Sequence, residues 1–111
     1  MRHFYTKVTE RKLDFTSDFT THPYEAGWAS EAICFIRVES LSGETPQLDA
    51  AVQISVDGVR WVDEGTTFKT IDALGDYFVK ISHFGGFLRL RNTIKGDNAL
   101  LNVTIWWVLK E

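Results

Sequence analysis

Residues able to do chemistry are few and scattered along this chain of 111 residues. The histidines are His3, His22 and His83, too far apart for a local His-x-x-x-His zinc pattern, and a lone Cys34 rules out Cys-x-x-Cys spacing. Asp63 and Glu64 are adjacent, so on a strand they point to opposite sides and cannot share a proton as an acid/base pair. A surface calcium site built from Asp57, Asp63 or Glu64 is conceivable, but no metal is expected. Gly85-Gly86 joins two apolar runs and reads as a tight turn, not a phosphate cradle. Cys34 lies inside "AICFIRV", where a thiol behaves as a small buried apolar group. No enzyme chemistry and no cofactor are therefore expected.

The remaining candidates are groups that hold partners. Arg89 and Arg91 share one face of "FLRLRNTI" and could clamp a partner's carboxylate. In "LNVTIWWVLKE", inward Val103, Ile105 and Trp107 leave Trp106 and Val108 pointing out, which makes Trp106 the first candidate for an interface anchor. Trp28 and Tyr24 lie in "DFTTHPYEAGWAS", residues 18–30, which lacks a period and reads as a long aromatic loop.

The elements that must position these residues are strands. Leu88, Leu90 and Asn92 alternate with Arg89 and Arg91; Val52, Ile54 and Val56 alternate with Gln53 and Ser55; Tyr77, Val79 and Ile81 alternate with Phe78, Lys80 and Ser82. "EAICFIRVES" is apolar on both faces at first, as in a central strand. "HFYTKV", "KLDFTSDF" and "TTFKTI" complete a set of about eight. Turn signals separate them at Ser42-Gly43, Asp57-Gly58, Gly65, Gly75-Asp76, Gly85-Gly86 and Gly96-Asp97-Asn98. Residues 1–111 therefore predict one all-β domain, an antiparallel β-sandwich of jelly-roll type. Its expected core is Val52, Ile54, Trp61, Val79, Ile81, Leu88, Leu90, Val103 and Ile105.

Charge narrows the partners. Residues 1–12 carry a net +3, residues 13–76 a net −9 and residues 77–111 a net +3, for −3 in all. A nucleic-acid binder would show a dense basic stripe, which is missing. No apolar run reaches the roughly 20 residues of a membrane helix, and "MRHFYTKVTERK" has no leader-like apolar stretch, so synthesis in the cytoplasm without a signal peptide is expected. Acidic and basic sectors suit packing of copies against each other.

In "SVDGVRW", Asp57 and Gly58 fit the two positive-φ positions of a type I′ turn, with Trp61 on the return strand. The stretch resembles the sialidase Asp box, S-x-D-x-G-x-x-W, with one residue fewer. Val52, Gln53, Ser55, Asp57, Gly58 and Trp61 also resemble the strand and hairpin of discoidin-like (coagulation factor type C) jelly rolls, and "FLRLRNTI" is similar to their penultimate strand. In both families the motif is a structural hairpin. The discoidin resemblance implies a carbohydrate-binding module, with Trp28, Tyr24 or Trp106 stacking on sugar rings. As a whole, "LSGETPQLDAAVQISVDGVRWVDEG" and "GDYFVKISHFGGFLRLRN" resemble tailed-phage virion accessory proteins. That resemblance implies a non-enzymatic capsid decoration or cement protein in the virion. It would be a homo-oligomer, most simply a trimer, bound to the major capsid protein or another virion protein.

Overall fold

Two strands of unusual length organise the chain. A computed structural model describes residues 4–21, 23–82 and 84–111; for residues 4, 5 and 7–12 the description is limited to the backbone. His3, His22 and His83 lie outside the described residues. The elements are β1 (Phe4–Phe15), β2 (Phe19–Thr20), β3 (Tyr24–Glu25), β4 (Glu31–Ser55), β5 (Val62–Thr67), β6 (Gly75–Ser82) and β7 (Phe87–Lys110). Strands β4 and β7 run antiparallel along their whole length, from Glu31 opposite Lys110 to Ser55 opposite Phe87.

The neighbours of this ribbon change halfway. The first half of β4 takes β6 on its free side, and the second half of β7 takes β1, which makes a sheet in the order β1-β7-β4-β6. Beyond the middle, β4 takes β5, and β7 takes β2 and then β3. That second sheet is four strands wide as well, counting β2 and β3 as one interrupted strand. The result is an antiparallel jelly-roll sandwich, in which β4 and β7 each serve both sheets.

Register breaks between Val38 and Gln47 mark the corner. Four residues with positive φ cluster there: Gly43 (104°), Thr45 (44°), Gly96 (114°) and Asn98 (53°). Turn signals at Ser42-Gly43 and Gly96-Asp97-Asn98 thus mark bends inside continuous strands, where strand ends were expected. The strand expected at "TTFKTI" is shorter too: Thr66 and Thr67 end β5, while Phe68 and Ile71 are buried outside it. Within the expected loop 18–30, β2 and β3 each pair with β7 over two residues. Thr21 fills the gap between them, since its amide donates to Leu90 O and its hydroxyl accepts from the Leu90 amide.

Burial follows period two over most of β4 and β7; Gln53, Ser55 and Thr104, on the phase expected to face out, are buried too, and Val56, expected to face in, is exposed. Ala32, Cys34, Ile36 and Val38 of β4 face Leu101, Val103, Ile105, Trp107 and Leu109 of β7 across the strand pair, and all are buried. Leu48, Ala50, Val52, Leu88 and Leu90 continue the same core in the second sheet. Of the expected core, Ile54 and Val79 pack against it while partly exposed, and Trp61 is outside it.

Candidate docking faces

The loop that follows β4 is longer than a two-residue turn. Six residues, 56–61, separate Ser55 from Val62. Gly58 has φ of 79°, but Asp57 is not among the positive-φ residues, so the expected type I′ turn does not form. Hydrogen bonds shape the loop instead. The amides of Val59 and Arg60 donate to Asp57 Oδ1 at 2.9 and 3.1 Å, and the amides of Asp57 and Gly58 donate to Ser55 Oγ. The two backbone donors, then the Ser55 hydroxyl, hold the Asp57 carboxyl below its ordinary value. Val56 and Val59 are left facing solvent.

Trp61 meets the second sheet's outer face. The Arg89 guanidinium lies 4.3 Å from its ring centroid, and Arg89 Nε donates to Gln53 Oε1 at 2.8 Å. Gln53 Nε2 donates to Asp63 Oδ1, and Asp63 Oδ2 accepts from Arg91 Nη2 at 3.3 Å. Arg89 and Arg91 do share a face, as expected. Within the chain, Arg89 meets Trp61 and Gln53, and Arg91 meets Asp63. Desolvation lowers the proton affinity of Arg89. Asp57 is turned to its own loop, Asp63 to Gln53 and Arg91, and Glu64 Oε1 to the Thr66 amide. Among the described residues no group of three His, Cys, Asp or Glu converges for a metal.

The opposite outer face is aromatic. Phe35 stands across from Phe78 on one side and Trp106 on the other, so three aromatic residues form a row over β6, β4 and β7. The Phe35 and Phe78 ring centroids are 5.8 Å apart. Arg37 caps Trp106 at 5.0 Å from the ring centroid, and its Nε donates to Asp76 Oδ1 at 2.7 Å. Trp106 is half-buried, whereas Phe78 is 56% exposed. Thr6 and Val108 extend the shallow depression beside the row.

The five expected contact residues do not form one surface. Trp106 is on the first sheet's outer face, and Arg89 and Arg91 are on the second's. Trp28, 41% exposed, lies at one end of the sandwich. Its segment is held by bonds from the Ala26 amide to Gly86 O and from the Ser30 amide to Lys110 O. Tyr24, partly buried, packs against the core beside Leu88. Phe35 and Phe78 were not among the expected contacts. Alternation already turned Phe78 away from Tyr77 and Val79, but the cross-strand register that aligns it with Trp106 spans distant parts of the chain.

No family model matches the chain, and no curated protein does. Among solved structures, it is similar to the SPBc2 prophage-derived protein YomS, with TM-score 0.63 and 9% identity over 100% of this chain and 96% of that one. It is also similar to the PBSX exported protein XepA, with TM-score 0.60 and 7% identity over 98% of this chain and 36% of that one. The infectious bursal disease virus VP2 subviral particle gives TM-score 0.55 and 18% identity over 99% of this chain and 37% of that one. The chain thus spans nearly all of YomS and about a third of the other two chains. At these identities the shared property is the jelly-roll fold.

Proposed function

We propose that this chain is a non-enzymatic structural protein of a virion, a capsid decoration subunit that self-associates and reinforces a phage shell. The observation that carries the reading is the aromatic row Phe78, Phe35 and Trp106 on the outer face of a rigid sheet. Half-exposed aromatic anchors on a fixed backbone lose little conformational freedom on binding, and small interfaces repeated over a lattice gain strength when several engage together. Fold likeness to a prophage-derived protein over nearly its whole length, and to a protein of a viral particle, supports the same reading.

The experiment is to add purified protein to undecorated shells and heat them. Saturable binding with a raised disruption temperature is expected. Failure to bind, or binding that leaves the disruption temperature unchanged, overturns the reading. Saturable binding on a glycan array in place of shell binding would install the carbohydrate-binding alternative.

A further inference from the structure

Strand β6 is an edge. Its partner among the described strands is β4, and the register from Glu31–Ser82 to Val38–Gly75 runs without a shift. Natural edges are usually blunted by proline, a bulge or brevity, because an open row of amides and carbonyls templates another strand. β6 has none of these over eight residues, GDYFVKIS; its charged residues, Asp76 and Lys80, are opposite in sign, so they oppose registers that set like charges together and favour one that sets them against each other. Its outward residues are Asp76, Phe78 and Lys80, all exposed. Its inward residues Tyr77 and Val79 are partly buried, at the rim of the core.

We infer that β6 pairs antiparallel with β6 of a second copy of this chain, about a two-fold axis at Phe78. This register matches the side chains of residues 76–80. Asp76 falls opposite Lys80 of the other copy, Lys80 opposite its Asp76, and Phe78 opposite its Phe78. On the inner face, Tyr77 falls opposite Val79. A slip of one residue sets outward side chains against inward ones. A slip of two sets a charge against Phe78. The Lys80 ammonium of the other copy would join Arg37 around the Asp76 carboxylate, which Arg37 already holds at 2.7 Å. The pairing joins two four-stranded sheets into one and makes the aromatic row continuous across both copies. It replaces the threefold contact expected from the sequence with an isologous, twofold one. It deepens the self-association proposed above and does not depend on shell binding.

Sedimentation or light scattering of the full chain over its soluble concentration range tests it. The expected mass rises from 12.7 kDa to twice that value. Lys80→Asp and Asp76→Lys each place like charges opposite one another at two symmetry-related points, and each should weaken pairing by about tenfold or more. An equimolar mixture of the two variants restores both attractive pairs and should dimerise as the wild type does. The exposed Arg37–Asp76 pair contributes little to folding, so both variants should retain the wild-type circular dichroism spectrum. Should either misfold, Phe78→Cys is the second variant: cysteines at the axis should cross-link on oxidation, with Cys34 buried and silent. A monomer at all concentrations, an oligomer indifferent to Lys80→Asp, or a mixture that stays monomeric overturns the pairing, as does a Phe78→Cys chain that does not cross-link. An oligomer indifferent to Lys80→Asp would sink the pairing alone; a monomer that still binds and reinforces shells would sink the pairing and the self-association and leave shell reinforcement standing.

Discussion

Asp57 shows how a short motif works by local hydrogen bonding. Its carboxylate is favoured in the folded loop over the unfolded chain, so its folded pKa lies below the usual carboxylate value of about 3.9. A depressed folded pKa contributes stability above the unfolded value, and the contribution is lost as pH falls through the folded value. Asp57→Ala should lower the thermal midpoint at neutral pH, and the gap from wild type should close at acid pH, once the pH has fallen through the folded value. Asp57→Asn keeps an acceptor oxygen and should lie between the two. Calorimetry at the two pH values checks both. At the same scale, Trp106 closes one end of the aromatic row. Truncating a buried interface tryptophan typically costs about 2 kcal/mol or more, so Trp106→Ala should weaken shell attachment at least about thirtyfold in a binding titration. Trp28→Ala, at the end of the sandwich, should leave that affinity nearly unchanged.

At the scale of elements, the backbones of β4 and β7 approach closely at the corner of the long ribbon. A Cβ on Gly43 would meet Asn98 O at 2.5 Å, and one on Gly96 would meet Glu44 O at 2.6 Å. Both residues also hold positive φ, so alanine adds backbone strain to a backbone clash. Gly65 separates the two effects, since its φ is 113° but nothing lies within 4 Å of its missing Cβ. Gly43→Ala and Gly96→Ala should each cost clearly more than about 1 kcal/mol in urea denaturation, and Gly65→Ala should cost less than either. Equal losses at all three sites would mean that the close approach of β4 to β7 at the corner does not hold in solution.

For the whole molecule, the two sheets share one core, and Cys34 reports on it. Its thiol is buried, and desolvation pushes its pKa well above the ordinary thiol value. Alkylation should therefore proceed only through opening of the sandwich, at a rate that falls as the protein is stabilised. Labelling as fast as that of a free thiol, under conditions where the circular dichroism remains native, would contradict a closed core.

Inside and outside were legible in the sequence because a strand's two faces are a local, period-two property. Leu88, Leu90 and Asn92 against Arg89 and Arg91 needed no neighbour to be read, and neither did Val103, Ile105 and Trp107 against Trp106. Turn chemistry marked the corner glycines, but could not say whether the chain stops pairing there or bends and continues. That depends on whether the partner strand bends at the same point, as β7 does opposite β4. Tertiary structure also decided what the outward residues touch. Arg89 and Arg91 found Gln53, Trp61 and Asp63, while Phe35 and Phe78 lined up with Trp106. Cross-strand neighbours are set by register between segments far apart in the chain, and hydrophobic alternation repeats every two residues, so it leaves several registers equally good until the folded sheets select one.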